Sequence, residues 1–154
     1  MQAIYTVGLS DVDQAFTGVL NSINHSSAVT TPVAMAVVGA SGELVAFEAM
    51  DGVLPAARDI AIHKAKTAIQ LQRDTINLQK RVQADLWYGL MVPGQLNWAG
   101  GVVIDHPNRG IIGAVGVSGR TSFTEDDEAP GDHELAVRMA KSIIDKIIRM
   151  SSMK

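Results

Sequence analysis

The sequence predicts an α+β domain, an antiparallel sheet built from two β-hairpins and flanked by helices. Two pairs of apolar runs, each pair separated by a short turn sequence, predict the hairpins. Segments with apolar residues at helical spacing precede, separate and follow them, so the predicted order is α-ββ-α(α)-ββ-α. Strands joined by tight turns pair antiparallel, and such a sheet buries its apolar face against helices.

The beginning of the chain predicts one helix and one hairpin. Ser10 and Asp13 have capping-box spacing, and apolar residues follow at helical spacing as far as Asn24. The apolar runs 33–38 and 44–50 flank the turn sequence GASG. These runs are therefore the first two predicted strands.

The middle of the chain predicts a helix that lies close to the sheet. Pro55 suits a first helical turn, and the helical pattern continues through 73–86 with an expected break near Asp74 and Thr75. The segment WYGLMVPGQLNWAGG that follows is predicted to be irregular. The predicted inner face of the helix is mostly small: Ala57, Ala61, Lys64, Ala65 and Ala68.

The second hairpin and a last helix complete the chain. The sequences GGVVID and IIGAVGVSG predict strands, and HPNRG predicts the turn between them. Asp132 is the expected N-cap of the last helix. The apolar face of this last helix comprises Leu135, Met139, Ala140, Ile143, Ile144, Ile147 and Ile148.

Composition limits the possible functions. The 154 residues suit a single domain spanning 1–154, with 47% hydrophobic and 19% charged residues. A net charge of -3 without a basic stripe argues against nucleic acid, and the lack of cysteine excludes disulfides and thiol chemistry. We find no long apolar run and no signal-peptide pattern, so we expect a cytoplasmic protein without membrane contact.

Three glycines, Gly113, Gly116 and Gly119, lie three residues apart in the fourth predicted strand. Their spacing matches neither a phosphate-binding loop, nor a dinucleotide fingerprint, nor a nucleophile elbow. Glycines at this spacing remove side chains from both faces of a strand. A helix, a ligand or another subunit can then approach the backbone closely.

Three segments, in matching order over roughly residues 10–145, resemble the GlcG/HbpS-like family. They are MDGVLPAARDIAIHKAKTA, GGVVID followed by GIIGAVGVSG, and GDHELA. The resemblance implies an antiparallel sheet flanked by helices, a homo-oligomer, and haem or another tetrapyrrole as a ligand. It extends to the C-terminal domain of certain corrinoid adenosyltransferases. The sequence departs from the family pattern at Gly39, Ala49 and Val102, which replace the usual Asp, Arg and Pro.

Lys64 and Asp51 are the candidate ligand-binding pair, and they would be the catalytic pair in an enzyme. Lys64 lies among alanines on the predicted inner face, where it can hold a carboxylate, act as a base or extend its ammonium to a surface acid. Asp51 precedes Gly52, so its carboxylate either lies at the mouth of a pocket or only stabilises a turn.

The end of the fourth strand supplies the other ligand-binding candidates. Ser118 and the backbone near Gly116 and Gly119 can donate hydrogen bonds to an anion, or they can simply form the end of a strand. Arg120 can pair with a haem propionate or with a surface acid.

Histidine spacing predicts no metal site, because the four histidines form no chelating pattern. His25 is the candidate axial ligand of a haem, since haem-binding relatives use a histidine from this region. Its alternative role is that of an exposed histidine at the end of a helix.

The aromatic segment has two possible roles. Trp87, Tyr88, Met91 and Trp98 can form a lid over a ligand or an oligomer contact, and we favour the contact.

Three functions remain open from the sequence. The first is an oligomeric protein that binds a small ligand. The second is an isomerase, tautomerase or lyase that uses Lys64 and Asp51 on a small carbonyl or carboxylic acid of a catabolic pathway. The third is a non-catalytic accessory subunit.

Overall fold

The computed structural model describes residues 4–24, 31–91, 94–120 and 130–153. The helices are α1 (Leu9–Asn24), α2 (Pro55–Leu71), α3 (Thr75–Ala84), α4 (Leu86–Met91) and α5 (Asp132–Ser152). The strands are β1 (Ala34–Gly39), β2 (Leu44–Ala49), β3 (Gly101–His106) and β4 (Gly110–Ser118). This order confirms the predicted α+β fold, including the break between α2 and α3, and adds the short helix α4.

The four strands form one antiparallel sheet in the order β2-β1-β4-β3. Each hairpin contributes two neighbouring strands, and β1 and β4 join the hairpins at the centre. Ala34 pairs with both Ala49 and Ser118, so β1 begins where β2 and β4 end. We call this the Ser118 end of the sheet, and we call the opposite end, where both turns lie, the hairpin end.

Helices cover both faces of the sheet. On one face α1 and α5 pack over large apolar side chains that include Met35, Val37 and Ile104. On the other face α2 packs over small residues such as Ala34, Ala36 and Ala114, and the start of α3 contacts β3. Because small side chains separate α2 from the sheet, this helix lies very close to the strands.

The glycine-rich strand accommodates that close approach. Gly116 of β4 pairs with Gly101 of β3 and with Ala36 of β1, which forms a row of minimal side chains under α2. A Cβ on Gly116 would overlap the carbonyl oxygen of Ala61, and one on Gly101 would overlap that of Lys64. The expected close approach of a helix is therefore confirmed.

Both predicted helix caps need correction. Helix α1 begins at Leu9, and the Asp11 carboxylate accepts a hydrogen bond from the Gly8 N–H at 2.8 Å, so Ser10 is not the cap. Gly131 precedes α5, and its N–H donates to Glu134 at 3.1 Å. Asp132 is the first helical residue instead of the N-cap, which leaves its carboxylate for another role.

The start of the segment predicted to be irregular is helical. Asp85 stabilises the beginning of α4, because its Oδ1 accepts a hydrogen bond from the Trp87 N–H at 3.1 Å. The prediction of an irregular conformation is therefore wrong for the first residues of this segment.

Among the described residues, no helix is both long and apolar enough to cross a bilayer.

Candidate functional site at the Ser118 end

A buried ion pair occupies the Ser118 end of the sheet. Lys64 is only 1% exposed, and its Nζ donates to Oδ2 of Asp132 at 2.8 Å and to the Val117 carbonyl at 3.0 Å. Asp132 is 2% exposed. The pair links α2, on one face of the sheet, to the start of α5, on the other.

The sequence makes room for this pair at Gly100. A Cβ there would lie 2.8 Å from Nζ of Lys64, 2.9 Å from Cβ of Asp132 and 2.6 Å from the Val117 carbonyl oxygen. Gly100 also has φ +118°, which side chains rarely tolerate. Any other residue at this position would displace the ion pair and strain the backbone.

Asp132 also organises the chain that leaves β4. Its Oδ1 accepts a hydrogen bond from the Arg120 N–H at 2.9 Å, and the Gly119 backbone contributes another. Burial raises the pKa of Asp132 to about 6, although Lys64 and these backbone donors lower it. Burial also lowers the pKa of Lys64, while Asp132 opposes that change. At neutral pH the Asp132 carboxylate is therefore ionised and paired.

Arg120 connects two segments at the same end. Its Nε donates to the Thr31 carbonyl at 3.0 Å and its Nη1 donates to the Pro130 carbonyl at 3.1 Å. Burial lowers the pKa of this guanidinium, and Asp132 opposes the shift. Arg120 thus holds the residues just before β1 against the residues just before α5.

The structure places most of the predicted ligand-binding residues at this one end. Asp132 accepts hydrogen bonds from Lys64 and from the backbone of Gly119 and Arg120. Ser118, the last residue of β4, directly precedes Gly119. Gly116 lies two residues inside the strand and serves the packing of α2.

Asp51 is not the partner of Lys64. It is exposed in the turn after β2, and Lys64 pairs with Asp132 instead. The sequence position of Asp132 predicts a helix cap, which conceals its role as the partner of Lys64. The segment GDHELA, which belongs to the resemblance, was the available signal. His25 lies outside the described residues.

Two helices begin at the Ser118 end. The N-terminus of α2 packs near Ala34 of β1, and that of α5 lies beside Gly119 and Arg120. Helix N-termini carry partial positive charge and unpaired N–H groups, which favour anions. At α5 the carboxylates of Asp132 and Glu134 already occupy the first turn, whereas the first turn of α2 contains no acidic residue. Leu54, which precedes α2, is 73% exposed and adds an apolar surface.

The described residues contain no cluster of three or more His, Cys, Asp or Glu side chains that could hold a metal ion. His133 lies near Asp74 and Glu134, but these residues do not form such a cluster. Burial lowers the pKa of His133, and Nδ1 of His106 accepts a hydrogen bond from the Asn108 N–H.

The aromatic segment presents apolar side chains at the surface. Leu86, Trp87 and Leu90 of α4 are 73–74% exposed, and Trp98 is 50% exposed. Tyr88 stacks under the Arg81 guanidinium at 3.7 Å. The side chain of Met91 lies outside the described part of the chain.

Comparison with known proteins gives the family. The family model described as "Haem degrading protein HbpS-like" matches residues 9–142, which is most of the chain. The chain belongs to the HbpS-like family. The resemblance seen in the sequence is thereby confirmed, whereas no curated protein matches the sequence.

Solved structures share the HbpS-like fold. Protein ORFY of Klebsiella pneumoniae is 24% identical with a TM-score of 0.77, over 93% of this chain and 94% of that one. A double mutant of Streptomyces reticuli HbpS is 24% identical with a TM-score of 0.72, over 92% and 89%. The structure titled PduOC:Heme complex is 20% identical with a TM-score of 0.67, over 92% and 94%.

Proposed function

We propose that this HbpS-like protein binds haem or another anionic tetrapyrrole at the Ser118 end of the sheet. The observation that carries the proposal is the family match over residues 9–142. A haem complex among the solved structures of the same fold supports it. The geometry of the Ser118 end agrees with the chemistry of such a ligand.

The described residues fit the propionate groups of a tetrapyrrole. The N-terminus of α2 and the Arg120 guanidinium supply positive charge at this end, and Leu54 supplies exposed apolar surface. His25 is the proposed axial ligand. It lies six residues before Thr31 in the sequence, and the Thr31 carbonyl accepts a hydrogen bond from Arg120. Asp51 remains a proposed contact at the mouth of the site.

Lys64 and Asp132 have a positioning role in this proposal. A general base must reach its substrate, but Lys64 is 1% exposed and its ammonium already donates to Asp132 and Val117. The ion pair instead fixes Gly119 and Arg120 at the place where the ligand would bind. This arrangement favours a binding protein over a lysine-dependent isomerase, tautomerase or lyase.

A hemin titration followed by absorbance tests the proposal. We expect a saturable Soret shift with one hemin per site in the wild-type protein, and loss of that shift in His25→Ala. His63→Ala is the matched control, because His63 is exposed on α2 and has no proposed role. An unsaturating shift that is equal in all three proteins would contradict the proposal.

We also propose that the protein is a homo-oligomer that buries the exposed face of α4. Three large apolar side chains, Leu86, Trp87 and Leu90, are exposed on six consecutive residues. Clusters of large apolar and aromatic side chains are typical of interface cores. The family resemblance implies a homo-oligomer, which supports this proposal.

A further inference from the structure

A cleft lies at the hairpin end of the sheet, away from the Lys64–Asp132 pair. It has a volume of about 540 Å³, within the range of small-molecule sites. The segment before α1, the turn between β3 and β4, and the last turns of α5 form its walls. It is separated from the Ser118 end by the length of the sheet.

The cleft holds a guanidinium that lacks a carboxylate partner. Arg109 lies over the ring of Tyr5, 3.5 Å from the ring centroid. No acidic side chain of the described residues comes within 4.0 Å of it. Stacking covers a face of the guanidinium and leaves its N–H edge available, and that edge matches a carboxylate.

The same cleft holds one carboxylate, that of Asp11. Its Oδ2 accepts the hydrogen bond from Gly8, and it forms no ion pair with Arg109 or with another described cation. The cleft therefore presents one positive and one negative group that do not neutralise each other by contact.

Three apolar side chains line the cleft together with the polar residues Thr6, Ser10 and Ser151. Ile112 and Ile147 belong to the core, with 2% and 8% exposure, and Met150 lies beside them with 49% exposure. An amphipathic ligand can therefore bury its apolar part here while its charged groups reach Arg109 and Asp11.

Local hydrogen bonds fix the backbone that carries both charged residues. The Arg109 N–H donates to the His106 carbonyl in the turn at 3.1 Å, and the Val7 N–H fixes the N-terminal segment to the Ile112 carbonyl of β4 at 2.9 Å. Asp11 is held at the start of α1 by Gly8. Sites on such fixed elements bind with little loss of conformational entropy.

We propose that this cleft binds an apolar α-amino acid as the zwitterion. Its carboxylate pairs with the N–H edge of Arg109, its ammonium pairs with Asp11, and its side chain lies on Ile112, Ile147 and Met150. A ligand that lacks either charge leaves one of these two groups without a partner.

Calorimetric titration with L-phenylalanine, 3-phenylpropanoate and phenethylamine tests the proposal. We expect L-phenylalanine to bind at least tenfold more tightly than either analogue. In Arg109→Gln the advantage over phenethylamine disappears, and in Asp11→Asn the advantage over 3-phenylpropanoate disappears. The asparagine keeps an acceptor for Gly8, and Arg58→Gln, on the exposed surface of α2, is the control variant that should bind like wild type.

Isoleucine methyl NMR locates the bound L-phenylalanine. We expect saturable shifts at the methyl groups of Ile112 and Ile147, and none at Ile60 or Ile62 of α2. The absence of binding, shifts confined to α2, or an analogue that binds as tightly as L-phenylalanine would each overturn the proposal. The readout does not involve hemin, so its failure is distinct from failure of the function proposed for the Ser118 end.

Discussion

At the scale of single residues, the Lys64–Asp132 pair shapes the Ser118 end. Two charges taken from water are tolerated because each satisfies the other and because Val117, Gly119 and Arg120 supply further hydrogen bonds. Removing one partner leaves the other buried and unpaired. The pair is therefore expensive to break, whatever its net contribution to stability.

Replacing Lys64 with methionine should expose this dependence. We expect Lys64→Met to lower the free energy of unfolding at pH 8 by about 3–5 kcal/mol, because Asp132 is then a buried carboxylate without a cation. The loss should shrink at pH 4.5. The pKa of Asp132 in the folded protein is raised from 3.8 to about 6, and the folded state therefore binds its proton more tightly than the unfolded state.

Urea unfolding at both pH values measures the effect. The stabilisation from the raised pKa of Asp132 is fully present below about pH 4 and is lost as the pH rises through about 6. Because Lys64 lowers the pKa of Asp132, removal of Lys64 should raise that pKa further and extend the stabilisation to higher pH. Lys66→Met, at an exposed position of the same helix, is the control. Equal losses for the two variants, or a loss at Lys64 that does not depend on pH, would contradict this role.

Lys64 could be found from the sequence, whereas its partner could not. A lysine among alanines on an inner helix face is a local pattern, visible within one turn or two. Asp132 lies 68 residues further on, and its Asp-His-Glu context also suits a helix cap. Only the packing of α5 against the end of β4 distinguishes a cap from a buried partner.

At the scale of elements, the packing of α2 on β4 depends on the row of small residues beneath it. Gly116→Ala should destabilise the protein by about 1–3 kcal/mol, because its Cβ would overlap backbone atoms of α2 that cannot rotate away. Urea or thermal unfolding of the purified variant measures this loss.

Gly18→Ala is the matched control for that prediction. Gly18 lies within α1, and a Cβ there would meet nothing within 4 Å. The same substitution should therefore stabilise the protein, by up to about 1 kcal/mol through helix propensity. A Gly116→Ala protein at least as stable as the wild type would show that β4 tolerates a side chain under α2.

The sequence predicted most elements because their signals are local. Hairpins follow from apolar runs around turn sequences, and α2 and α5 follow from their spacing. Helix α4 is not predicted because its six residues carry little periodicity, and its start depends on two local hydrogen bonds, from the N–H groups of Trp87 and Tyr88 to Asp85. The order of strands across the sheet requires the β1–β4 pairing, which no local pattern encodes.

At the scale of the whole molecule, the sheet separates two ends with different chemistry. The Ser118 end combines the N-terminus of α2 with Arg120, whereas the hairpin end combines Arg109, Asp11 and apolar side chains. The two ends share no residue, so ligands at each should bind independently. Helix α4 presents a third, apolar surface, which is the proposed contact of the homo-oligomer.

Leu90→Ser tests that surface. Leu90 is 74% exposed, so the substitution should leave the fold of one chain unchanged. If α4 is an oligomer contact, the variant should have a smaller mass by light scattering after gel filtration, because an apolar anchor at the centre of the contact is lost. Leu9→Ser, at a residue that is 64% exposed on α1, should keep the wild-type mass. A Leu90→Ser protein of unchanged mass but weakened hemin binding would instead make α4 a lid over the ligand.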